Sequence, residues 1–310
     1  MKTKILNERG SAIIFIAISM VVLIGFGALA VDVGLMTYHK GKLQNAVDAA
    51  ALAGAHEIPE STTQGGSVAQ EYLANNGEDV ASLVSHNIYF EQSNKKIVVE
   101  ATYRVDFFFA KVLGKDSADV SVRAAAINAP TEKMSDGLRP FGVLYEDTKK
   151  SGLVHLQINP PGGDKDKDGE PDEVGPGNTG TVGLDYNGKD TGNAIEDAIH
   201  YGTTKAYSVG DFINTEPGVS GGNMKKGLEG LFDDYGDEVI ITIPIVNTLG
   251  VAGRSETVKI IGFAGFRVRK GDNLPYGKIV VGEFVDYVLA TGVGDMGGTD
   301  YGVRSVNLVE

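Results

Sequence analysis

The chain of 310 residues is long enough for two modest domains, each with its own core. A formal net charge of -13 argues against a nucleic-acid partner, because phosphate binding needs a basic face, and the absence of cysteine excludes disulfides, thiolate metal sites and cysteine nucleophiles. A hydrophobic share of 42% argues against a polytopic membrane protein, and the 42 glycines, roughly twice the usual frequency of about 7%, gather mid-chain and predict loops there.

The N-terminus carries the strongest signal. From Gly10 to Val31 no side chain is charged, and Ile13, Ile14, Phe15, Ile16, Val21, Val22, Leu23, Ile24 and Phe26 make the run apolar. About 20 such residues cross roughly 30 Å of hydrocarbon as a helix, whereas the apolar core of a cleaved leader is shorter, about 7–15 residues. Ala28-Leu29-Ala30 nevertheless spells a signal-peptidase site, so the choice lies between a leader and an uncleaved anchor, and the length favours the anchor. Lys2, Lys4 and Arg9 before the span, offset only by Glu8, predict a cytoplasmic N-terminus and an extracytoplasmic bulk; His39, Lys40 and Lys42 beyond it oppose this weakly.

Past Asp32, at the membrane exit, nothing breaks the helix before Pro59. Met36, Leu43, Val47, Ala50 and Gly54 fall on one stripe, and Lys40, Gln44 and Asp48 lie on another side. The pattern predicts one helix from about Ser11 to His56, half in lipid and half an amphipathic stem against a globular head. An ordinary anchor followed by a separate surface helix is the plainer alternative. Residues 1–58 thus read as a cytoplasmic tip, a transmembrane span at about 11–31 and the stem.

This segment resembles the N-terminal Tad segment of the TadE/TadG-like Flp (tight-adherence) pilus-assembly proteins. The resemblance rests on Arg9-Gly10-Ser11, on Ala30-Val31-Asp32-Val33-Gly34, and on Leu43-Gln44-Asn45-Ala46 followed by Asp48 and Ala49 to Ala55. It implies a single-pass, non-catalytic envelope protein in contact with the bilayer and with other Tad/Flp pilus-assembly or pilin components. True prepilins carry a glutamate five residues past the cleaved glycine; counted from Gly10 that place is Phe15, which speaks against prepilin-peptidase processing.

Residues 59–130 are expected to form a small α/β domain of pilin type. A polar linker, Glu60 to Gly66, leads to a helix around Ala69 to Ala74 ended by Asn75-Asn76-Gly77. Strands follow at Asn87–Glu91 and Lys96–Phe107 around a turn at Ser93-Asn94-Lys95, with Ile97, Val99, Ala101 and Tyr103 facing inward and Val98 and Glu100 outward. Phe107-Phe108-Phe109 with Val112-Leu113-Gly114 resembles an aromatic segment of the same family, and Asp119 to Ala124 supplies a third strand. So small a sheet needs a packing partner, which the stem provides.

A polar joint at residues 131–137 leads to a β-rich extracytoplasmic domain, residues 138–290, with a loop-rich insertion at 160–237 and a Gly-rich tail at 291–310. Leu138–Tyr145, Val154–Ile158, Val239–Val246, Val258–Val268 and Lys278–Val288 read as strands, and Ala194–Tyr201 and Asn223–Phe232 as short helices. Gly175 to Asn178, Thr215 to Gly218 and Gly262 to Phe266 resemble the outer region of TadG-like proteins of Gram-positive bacteria. The whole is an α+β chain: an anchor helix continuing as a stem on a small antiparallel sheet, then a β-rich domain with a long Gly-rich loop region.

The candidate chemistry is confined to one loop. Asp164, Asp166, Asp168, Gly169, Glu170 and Asp172 match positions one, three, five, six, seven and nine of a calcium loop, in which alternate carboxylates supply the oxygens Ca2+ requires. The bidentate glutamate of position twelve is replaced by Gly175, so a weak calcium loop and a solvated acidic loop both fit. Gly175 to Gly180 matches the dinucleotide fingerprint in letters but lacks the preceding strand and following helix. Glu196, Asp197 and His200 sit at helical spacing without a second histidine, none of the five histidines pairs with a plausible serine nucleophile motif such as G-x-S-x-G, and Asp233 to Glu238 reads as a solvated turn. These readings favour a non-enzymatic pilus-assembly component over its alternative, a surface-anchored calcium-dependent adhesion module.

Overall fold

Uninterrupted helical sequence after the apolar run gives one long element, α1, which spans Arg9–His56 and its 48 residues. At about 1.5 Å per residue it is roughly 72 Å long. The computed structural model describes residues 9–77, 82–157, 180–184, 194–216, 221–249, 256–273, 279–289 and 292–309. The chain divides into two compact units, residues 1–126 with 308–310, and residues 127–307.

In the first unit, α1 packs against α2 (Thr62–Asn76) and against an antiparallel sheet. Helix α2 starts within the segment expected as a linker. Ser61 caps it, its hydroxyl accepting from the Gln64 N–H at 3.1 Å, and the glycines that lower helix propensity are what the packing uses. A Cβ on Gly65 would lie 2.9 Å from the Gly54 carbonyl oxygen, and one on Gly54 would lie 2.8 Å from that of Gly65, so the two helices cross backbone to backbone. Strand β1 (Leu83–Glu91) pairs antiparallel with β2 (Lys96–Asp106) through a turn in which Gln92, Ser93 and Asn94 all have positive φ. Ile97, Val99 and Ala101 are buried as expected, but Val98 is buried too, so the start of β2 is covered on both faces. After a 3-10 turn at Ala110–Leu113 comes β3 (Ser117–Met134), longer than the expected third strand. Residues 131–134, expected within a polar joint, continue it, because their backbone is paired by strands from the C-terminal part of the chain.

In the second unit, the segment 138–143, expected as a regular strand, makes isolated bridges, parallel from Leu138 to Thr242 and from Val143 to Ile245 and antiparallel from Phe141 to Thr181. The Phe141 amide turns back to the Arg139 carbonyl at 2.9 Å, and this tight turn across Pro140 interrupts the extended backbone. A helical turn, α3 (Tyr145–Thr148), and β4 (Val154–Gln157) follow. Next come β5 (Val182–Gly183), α4 (Ala194–Tyr201), β6 (Tyr207–Ser208), β7 (Phe212–Thr215) and α5 (Gly221–Tyr235). The long strands β8 (Glu238–Val246) and β9 (Thr257–Arg269) precede α6 (Lys270–Asn273) and β10 (Ile279–Val285). Strand β9 is central: β8, β10 and β7 all pair antiparallel with it.

A bulge shapes the core. Val246 pairs with Ile260 while Ile245 pairs with Gly262, so Ile261 is an extra residue in β9. Beyond it the parity of the strand changes: Ala264, Phe266 and Val268 join a core roofed by Ile199, Met224, Leu228 and Phe232 of α4 and α5. Val258, Ile260 and Phe263 join a second core with Leu138, Val182 and Ile213. Two strands lie in the expected Gly-rich tail. Strand β11 (Tyr287–Leu289) pairs in parallel with β13 (Val303–Val309), and β12 (Gly292–Gly294) pairs antiparallel with the end of β3.

Candidate functional site

Helix α1 changes character once along its length. From Ile13 to Ile24 every Ile, Leu, Val, Met and Phe is exposed, as is Phe26. Among the described residues it is the one helix long and apolar enough to cross a membrane. From Leu43 onward the opposite holds: Leu43, Ala46, Val47, Ala50, Ala51 and Ala55 are fully buried. The small side chains let neighbouring backbones approach, as the Gly54–Gly65 crossing requires. The expected stripe is therefore a packing face, widened by alanines. On the same helix, the His39 ring stacks on Tyr103 of β2 with centroids 5.0 Å apart, and the Gln44 amide donates to the Arg123 carbonyl at 3.1 Å and to Asp48 at 2.8 Å.

Asp32, the first residue past the apolar run, sits at the change. Its side chain is buried, and its carboxylate accepts three backbone N–H bonds. Phe108 donates to Oδ1 at 2.8 Å, and Phe109 and Ala110 donate to Oδ2 at 3.0 and 2.6 Å. These are donors at the start of the 3-10 turn Ala110–Leu113, which has no side-chain cap of its own. Burial is the largest single influence on the Asp32 carboxyl and pushes it up. The N–H groups of Phe108, Ala110 and Phe109, with the Lys111 charge, together outweigh it and hold the group below its ordinary value. Asp32 thus ties the loop after β2 to α1 where exposed apolar surface gives way to buried core. The sequence marks Asp32 as the end of the apolar run; its role as a cap depends on partners 76 to 78 residues away.

Residues 10–57 match the Tad family model, TadE/G-like Flp pilus assembly. The Tad match begins one residue into α1 and ends one residue beyond it, so it covers the exposed apolar part, Asp32 and the buried stem together. No curated protein and no solved structure matches the chain.

The other candidate residues fall elsewhere. Asp164, Asp166, Asp168, Glu170 and Asp172 lie outside the described residues, as does the run from Gly175 to Thr179. Glu196, Asp197 and His200 are on α4, but the His200 ring stacks on Tyr201 at 3.7 Å and its Nε2 lies 2.8 Å from Asp234 on α5. Among the described residues no group of three or more His, Asp and Glu side chains could hold a metal ion. Gly230 lets α5 approach that ring, since a Cβ there would lie 2.5 Å from His200 Nδ1. The pair is a helix–helix contact.

Proposed function

We propose that the chain is a membrane-anchored, non-catalytic structural or assembly component of a Tad/Flp-type pilus or related secretion machinery. Its N-terminus lies in the cytoplasm, the first part of α1 spans the bilayer, and the bulk of the chain after it is extracytoplasmic. Its partners are the bilayer and other Tad/Flp pilus-assembly or pilin components. The observation that carries this reading is the coincidence of the Tad match with α1, exposed and apolar before Asp32 and buried after Leu43. An apolar surface exposed along several turns requires a nonaqueous surrounding, and the lysines and arginine before it orient the span. Under this reading α1 is a pilin-like stem.

The test is an in-frame deletion in the native host, complemented by the full chain and by a chain lacking residues 10–57. The deletion is expected to lose surface filaments or adherence. The full chain restores them and the shortened chain does not. Normal piliation in the deletion strain would overturn the proposal.

A further inference from the structure

Beside the head of the apolar helix lies a second apolar surface. In the loop after β2, Phe108, Phe109, Val112 and Leu113 are 72%, 47%, 89% and 70% exposed. Four large apolar side chains on six residues would be an unusual patch in water. Three of them face the span. Phe109, Val112 and Leu113 line one groove of about 430 Å³ with Val21, Val22, Ile24, Phe26, Ala28 and Leu29 of α1. The loop therefore runs back along the apolar run from Asp32, which holds it there through the Phe108, Phe109 and Ala110 amides.

We infer that this loop is a second membrane contact: its four apolar side chains enter the outer leaflet and pack among lipid acyl chains beside the span. The inference rests on the reading of α1 as a membrane anchor. Three observations favour lipid as the occupant. The groove is continuous with the surface that the bilayer covers under that reading. Counting along α1, Leu29 to Val21 lie about 4–16 Å below Asp32 at 1.5 Å per residue, which includes the depth of roughly 5–10 Å that interfacial segments reach. The loop's polar groups can also be accommodated: Asp32 and the turn satisfy the Phe108, Phe109, Ala110, Val112 and Gly114 amides. Lys111 and Lys115 are exposed beside the patch, and Asp106 and Asp116 balance them, so insertion depends on the apolar side chains and not on anionic headgroups.

The chain contains no tryptophan, so a single introduced one reports its own surroundings. The full chain carrying Val112→Trp is reconstituted into phosphatidylcholine vesicles with acyl chains brominated at graded depths. Leu23→Trp in the span and Tyr72→Trp on the exposed face of α2 serve as references. We expect Val112→Trp to emit blue-shifted light and to lose most of it to shallow bromines, with the same result when phosphatidylglycerol is added. Leu23→Trp is quenched by deep bromines and Tyr72→Trp by neither. A water-like, unquenched Val112→Trp beside a quenched Leu23→Trp would overturn the inference and leave the anchor standing. An unquenched Leu23→Trp would overturn both. A blue-shifted but unquenched Val112→Trp would mean that a protein, a second copy or another subunit, covers the groove, and would equally overturn lipid contact. Phe108→Trp, the milder replacement, must repeat the result.

Discussion

Asp32 shows how much one carboxylate can organise. It joins two segments distant in sequence by accepting three amide bonds, and its ionised form is the one those amides prefer. Because its folded-state pKa is lowered, its contribution is complete above the unfolded value and is lost as pH falls from about 4 through the lower folded value. Asp119, lowered by its hydrogen bonds to Arg104 at 2.7 and 2.8 Å, acts in the same direction from an exposed position where the effect is small. The expected outcome is that the loop at 107–114 becomes protease-sensitive below about pH 4 in the unaltered chain. Asp32→Asn should show that sensitivity at neutral pH and change little on acidification; a variant indistinguishable from the parent at both pH values would contradict the capping role. A second residue-scale test concerns the acidic run. As a calcium loop without its position-twelve glutamate, Asp164 to Asp172 should bind Ca2+ with a Kd on the order of 10⁻⁴–10⁻³ M, and Asp164→Ala with Asp168→Ala should abolish the calorimetric signal. No heat from the unaltered chain at several millimolar Ca2+ would leave the run a solvated loop.

At the scale of elements, the crossing of α1 and α2 reverses an ordinary rule. Gly→Ala within a helix usually stabilises by about 1 kcal/mol. At Gly54 the added Cβ would lie 2.6 Å from Ile97 Cδ1, 2.8 Å from the Gly65 carbonyl oxygen and 2.9 Å from Ala69 Cβ. Gly54→Ala should therefore destabilise the first unit by about 1–3 kcal/mol in chemical denaturation; a stabilised variant would mean that the helices part freely. The stem's larger side chains make the complementary case. Leu43 and Val47 are fully buried, and truncating such a residue costs about 2–5 kcal/mol. Leu43→Asp with Val47→Asp adds two buried charges, so the first unit should lose its protease resistance while the chain still inserts in membranes. An unchanged digestion pattern would reduce the stem to a tether.

These elements also show what the sequence discloses. The apolar run and the small-residue stripe were legible because both are local and periodic, and β8 and β9 because their β-branched runs are long. The start of α2 was hidden because Gly65 serves the packing against Gly54 instead of the helix it sits in. The end of β3 was hidden by Pro130 and the polar residues after it, and β12 by its short glycine-rich sequence and a partner far away in the chain. Segment 138–143 looked like a strand by composition, but the tight turn from Arg139 to Phe141 leaves it only bridges. Asp32 was legible as the end of the apolar run, not as the cap of a loop, since no local pattern records a partner more than seventy residues on.

For the whole molecule, the account depends on α1 being one functional element, whose apolar part is kept and whose remainder builds the core of the first unit. The Tad match runs through both parts without a break at Ala30. Signal-peptidase cleavage after Ala28-Leu29-Ala30 would remove the exposed apolar half and leave the stem beginning at Val31. The most direct test is the intact mass of the chain recovered from the carbonate-washed membranes of its native host. The account predicts a chain that remains with the membrane and retains the residues before Val31; a mature chain beginning at Val31 would contradict it.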